Sequence, residues 1–216
     1  PVTVRFAGPA TLERTDGLAV AFGDRRRVTV GFCSRVATPS ETVTVPPTPQ
    51  GLARAVTHAS GALRTTGPAR SLPWMRRHPP RFAVGECDIP ESVAAATPDT
   101  AITVELPATR EAVCLAAPLA YYLGARMTVG EKPAVRLDNG YTERLPTNGR
   151  QLEERAEALL RTWFFLDTLV RTDGYTLSDR KEYEQVGPQL PFYPPNLDGL
   201  SLSERLLEDL EGDPGT

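Results

Sequence analysis

Lysine is nearly missing from this 216-residue chain: of 24 basic residues only Lys132 and Lys181 are lysine, and the rest are arginine. Cysteine is as sparse. Cys33, Cys87 and Cys114 are odd in number, far apart and without a CxxC pair, which argues against a disulfide framework. With only His58 and His78 as nitrogen ligands they also make a poor structural zinc site, so no metal is expected. Reduced, buried cysteines in a cytoplasmic protein are the reading that free thiols support. No apolar run approaches the roughly 20 residues of a membrane span. The opening PVTVRFAGP has neither the charged head nor the apolar centre of a signal peptide. The chain also lacks GxGxxG, GK[ST], GxSxG, HExxH and an EF-hand loop, which removes the common nucleotide, α/β-hydrolase, zincin and calcium assignments. No cofactor is expected, and there is no internal repeat.

What is present is arginine, unevenly placed. Residues 1–86 carry a net charge of +7 and residues 87–216 a net −10, and the whole chain is −3. Attraction between the two parts is the expected use of that division, with at least three arginines of the first part contacting acids of the second. The arginine bias, with abundant Ala, Thr, Val, Asp and Glu, points to a GC-rich genome and a salt-adapted proteome. A hydrophobic content of 40% is enough for a core. A start at Pro1 without Met reads as processing, or as excision from a longer chain.

The strongest local signal is TNGRQLEERAEALLRTWFFLDTLVRTDG, residues 147–174. Asn148 caps, Gln151 answers three positions on, and Leu152, Ala156, Leu159, Leu160, Trp163, Leu166, Leu169 and Val170 recur at helical spacing. Gly174 is suited to the left-handed stop. A helix over 149–172 follows, and from Trp163 onward its apolar residues cover more than one stripe, so its second half is expected to be buried.

Around it, residues 2–7, 18–22 and 28–32 read as an antiparallel β-meander, and Thr42–Val45 as a further strand. Thr48-Pro49 opens a helix over 50–64 with Leu52, Val56, Ala59 and Leu63 on one face. Residues 65–80 are irregular and proline-rich, with Trp74 expected to pin them to the body, and Arg81–Val84 is a short strand candidate. Ala101–Leu106, a helix over Arg110–Leu123 capped by Thr109, and Arg126–Val129 form a βαβ unit, with Pro118 expected to kink or tighten the helix. Asp138-Asn139-Gly140 joins a hairpin. A polar helix near 177–185 and a last helix from Ser203 to about Leu210 complete the chain. The fold class is α/β or α+β, a mixed sheet with an N-terminal meander, one βαβ unit and a long buried helix. A boundary near 80 would leave a β-rich part, 1–80, and an α/β part, 81–216, unless the chain is one continuous domain.

Few residues carry chemistry. Cys114, near a helix N-terminus that favours the thiolate, paired with His58 or His78, is the nucleophilic constellation the composition permits. Its apolar neighbours favour a packed structural cysteine instead. Cys87, beside Glu86 and Asp88, is a poorer nucleophile. Arg25, Arg26 and Arg27, with Arg76 and Arg77, are candidates for an anion or nucleic-acid contact, against the plainer reading of a solvated hairpin tip. Asp167, in the half of the helix expected to be buried, needs a partner, and Arg171 one turn on is the expected one.

The strings SLPWMRRHPPRFAVGE (71–86), APLAYYLGARMTVGEKPAV (117–135) and FFLDTLVRTDGY (164–175) resemble long multidomain haloarchaeal proteins of uncharacterised function. Their later regions are similar to CHAT domains, relatives of the caspase-like peptidases. The resemblance spans most of residues 17–186 and implies that this chain corresponds to the region upstream of the peptidase-like part, outside its histidine–cysteine dyad. A non-catalytic interaction or regulatory module of a larger intracellular protein is therefore the leading expectation. Its partners would be protein or other domains of the parent chain, with no membrane association. A cysteine hydrolase using Cys114, and nucleic-acid binding through the arginines, are the alternatives.

Overall fold

The computed structural model describes residues 2–14, 18–32, 41–171, 181–190 and 192–211. Its contacts divide the chain into compact units at 1–37 and 38–216.

In the first unit, β1 (Val2–Arg5) pairs antiparallel with β4 (Thr29–Phe32), and β2 (Thr11–Arg14) with β3 (Leu18–Ala21). These are two nested ribbons, not the expected meander. The difference comes from β2, whose TLER sequence has a single apolar residue and no readable alternation, yet sets Leu12 opposite Val20. Arg26 staples this unit: its guanidinium pairs with Asp24, donates to the Ala7 and Pro9 carbonyls at 2.7 and 2.9 Å, and lies 5.2 Å from the Phe22 ring centre.

The second unit begins with β5 (Thr42–Val45) and α1 (Pro49–Ala59). Thr48 caps α1, its hydroxyl accepting from the Gly51 N–H at 3.1 Å. The helix is shorter than expected and continues as a single 3₁₀ turn, Ser60–Ala62, and it buries the small residues Gly51, Ala53 and Ala55 while Leu52 and Val56 are half-buried. β6 (Arg81–Val84) runs parallel to β5. This pairing, and the packing of α1 on later elements, moves the domain boundary from the expected 80 to 37–38. Residues 65–80 hold two 3₁₀ turns, and Trp74 is 62% exposed, so it does not pin the loop.

After α2 (Glu91–Ala96), the βαβ unit appears as read: β7 (Ile102–Leu106), α3 (Arg110–Leu123) and β8 (Arg126–Val129), with β7 and β8 parallel. Thr109 caps α3, and Gly124 ends it at φ +58°. The helix runs through Pro118, which is exposed. β9 (Ala134–Leu137) and β10 (Thr142–Arg144) form the hairpin, and β9 pairs antiparallel with β7, giving the order β10-β9-β7-β8. The architecture is α+β with a mixed sheet.

The organising helix is α4 (Gly149–Val170). Asn148 Oδ1 accepts from the Arg150 and Gln151 N–H groups at 3.1 and 3.3 Å. Its stripe of Leu152, Ala156, Leu159 and Trp163 joins the main core with Val104, Leu106, Val113, Leu119 and Leu123 from β7 and α3. Its last turn is buried through Leu166, Asp167, Leu169 and Val170, although Phe164 is exposed. The Gly174 stop signal lies outside the described residues. α5 (Lys181–Val186) and α6 (Leu202–Glu211) follow, and Ser201 and Glu204 form a reciprocal capping box at the start of α6.

α1 also covers the edge of the four-stranded sheet. The Thr57 hydroxyl donates to Ala53 O at 3.0 Å and accepts from the Met127 N–H at 2.9 Å, which satisfies an outward-facing donor of edge strand β8. Thr57→Val keeps the shape and leaves that N–H unmet. It is expected to lower stability by about 1–3 kcal/mol in chemical denaturation.

Candidate functional site

The structure places the proposed nucleophile on the wrong face. Helical spacing turns Ala112, Val113, Ala116, Leu119 and Ala120 into the core, so Cys114 is exposed in spite of its apolar sequence neighbours. Cys87 is exposed too, so the expectation of buried cysteines fails at both, while Cys33 lies outside the described residues. Among the described residues no hydrogen bond joins Cys114 to His58 or His78. His78 is exposed.

His58 is held elsewhere. Its Nδ1 lies 2.8 Å from Thr97 Oγ1, and that hydroxyl already donates to Val93 O at 2.9 Å. Thr97 must therefore accept, which puts the imidazole proton on Nδ1 and leaves Nε2 as an acceptor. The ring lines an open cleft of about 590 Å³ with Arg54, Asp99, Ala101, Arg126 and Asp138. Ala101 sits at φ +57°, a left-handed conformation rare for a residue with a side chain. The cleft lies at the N-terminal ends of β7 and β8, opposite to the carboxyl ends where α/β sheets usually hold ligands. No group of three His, Cys, Asp or Glu residues is gathered for a metal among the described residues.

Burial, and then the nearby Arg54 charge, hold the His58 pKa below its ordinary 6.5. A histidine depressed on folding takes up its proton more readily in the unfolded chain, so its contribution is present above pH 6.5 and fades as pH falls through it. The denaturation midpoint is expected to drop less between about pH 7 and pH 5 in His58→Gln than in the native chain. Urea titrations at the two pH values check this.

The buried polar centre is Asp167. Arg70 Nη2 lies 2.9 Å from Oδ2, the Tyr122 hydroxyl donates to Oδ2 at 2.5 Å, and Arg205 Nε is 4.0 Å from Oδ1. Arg70 also stacks 4.6 Å from the Tyr122 ring centre. The close ion pair is with Arg70 in place of the expected Arg171; Arg171, also buried, donates from Nη2 to Thr168 Oγ1 at 3.4 Å and acts on the carboxylate through its charge. Burial pushes the carboxyl above its usual range, against downward pulls from Arg70, the Tyr122 hydroxyl, Arg205 and Arg171. Thr66 O joins the network, accepting from Arg70 Nη1 at 3.1 Å and Arg205 Nη2 at 2.7 Å. Sequence reading missed Arg70, Tyr122 and Arg205, since nothing in their local sequence marks them as buried.

The arginine candidates are divided. Arg26 is occupied inside the first unit, and Arg76 donates to Ser71 O at 3.0 Å. Arg25, Arg27 and Arg77 are exposed. Of the contacts expected between arginines of the first part and later acids, the Arg70 pair is the one described.

The remaining feature is β6. All four of its residues are exposed, with Phe82 at 45% and Val84 at 75%. Arg81 and Gly85 donate to Glu41 O and Val45 O, so the two-residue period of the ladder turns the N–H and C=O of Phe82 and Val84 away from β5. Those four groups have no partner strand among the described residues. No helix among the described residues is long and apolar enough to cross a membrane.

Compared with protein-family models, with curated proteins and with solved structures, the chain matches none.

Proposed function

We propose that the chain is a non-catalytic interaction module of a multidomain protein, and that β6 is its contact element. The observation that carries this reading is the open edge: a parallel strand pair is normally covered on its faces, and here one whole strand presents apolar side chains and free backbone groups. An added strand would satisfy the free groups through main-chain hydrogen bonds and cover Phe82 and Val84. The resemblance to multidomain haloarchaeal proteins supports a protein partner or another domain of the parent chain, in an intracellular setting.

Selection of random displayed peptides on the folded chain tests the proposal. Extended, β-branched or aromatic sequences are expected, and their binding should be lost in Val84→Glu with the circular dichroism spectrum unchanged. Repeated selections that return no binder sensitive to Val84→Glu would remove the reading.

A further inference from the structure

The edge of β6 is complementary to itself, and we infer that it takes the β6 strand of a second copy of this chain, antiparallel, about a two-fold axis through Ala83. The inference rests on the reading of β6 as a contact element and names its occupant.

Hydrogen-bond phase limits the registers, and side-chain pairing chooses among them. In an antiparallel pair, residues whose N–H and C=O point across the gap must face residues doing the same. On β6 these are Phe82 and Val84. Setting Phe82 opposite Val84 of the second copy, and Val84 opposite its Phe82, uses all four N–H and C=O groups in each strand. A shift that puts Phe82 opposite Phe82 sets Val84 against Pro80, which has no N–H to give. The favoured register therefore stops at the prolines, which end the ladder after a short run.

Side chains and charge agree with that register. Phe82 and Val84 share one face of the strand, so the pairing makes two aromatic to β-branched contacts from exposed residues, a favourable cross-strand combination. Arg81 falls opposite Gly85 of the second copy, beside Glu86; both charged side chains are exposed. The four strands β5-β6-β6-β5 then form one sheet in which neither β6 remains an edge. Four residues per copy cover far less than a standard stable interface, so the dimer is weak and forms by mass action.

Sedimentation of the whole chain from about 5 to 500 µM, a span suited to weak association, is expected to show the mass rising from 23.5 kDa toward twice that. Val84→Glu should remain monomeric over the same range. Register is read by cross-linking in a chain whose three native cysteines are serine. Ala83→Cys places two thiols on the axis with Cα atoms about 4.5 Å apart, inside the disulfide range, and should give a covalent dimer on mild oxidation. Val84→Cys sets its two Cα atoms about 8 Å apart, beyond bridging distance, and should not. A chain that stays monomeric, with no covalent dimer from Ala83→Cys, overturns the inference; a dimer linked through Val84→Cys instead overturns the register. If self-pairing fails while Val84-dependent peptide binding persists, the occupant is a different chain and the interaction reading stands. If both fail, that reading falls as well.

Discussion

Trp163→Ala is expected to lower the unfolding free energy by about 3–5 kcal/mol, the cost of emptying a large aromatic from a packed core. Trp163 is 1% exposed and belongs to the main core, in which α4 packs on α3. Its neighbours along the stripe, Leu159 and Leu166, are held on a 22-residue helix that cannot collapse into the space without breaking its own hydrogen bonds. Reversible urea denaturation of the two chains checks this. A loss under about 1 kcal/mol would mean that α4 is not the element on which the core depends.

Asp167→Ala is expected to cost a similar amount, about 3–5 kcal/mol, for a different reason. Removing the carboxylate leaves the Arg70 guanidinium buried without its acid and the Tyr122 hydroxyl without its acceptor. Asp167→Asn keeps the shape and removes the charge, which separates the ion pair from the hydrogen bonds. In a cycle with Arg70→Met, the double variant should be more stable than the sum of the single losses by about 1–3 kcal/mol, because each single variant strands one charge and the double strands neither member of the pair. Strict additivity in that cycle would show that the pair contributes nothing of its own.

The sequence announces elements whose signals are local. Thr48, Thr109 and Asn148 cap the helices they were expected to cap, and Asp138-Asn139-Gly140 turns the hairpin. The βαβ unit is legible because β7, α3 and β8 lie within 28 residues and each has its own period. What escapes is whatever depends on distant pairing. The ribbon of β2 is invisible because its four residues have no hydrophobic alternation, and the partner of β5 lies 39 residues away behind a proline-rich stretch. Cys114 was misread because sequence neighbours on a helix point in different directions: the apolar residues beside it face the core while the thiol faces out. Arg70 was missed for the converse reason. It occupies an irregular segment where arginine is normally solvated, and only the position of Asp167 in three dimensions explains its burial.

The carbonyl of Thr66 has a temporal meaning as well as a spatial one. Its two arginine donors lie 4 and 139 residues further along the chain. During synthesis the first arrives at once, whereas the second cannot arrive until α6 has left the ribosome. For most of translation Asp167 is therefore either not yet made or served by Arg70 and Tyr122 without Arg205. Closing a loop of that length costs about 4 kcal/mol of chain entropy, which favours α6 docking late, onto a core already formed by α3, α4 and the sheet.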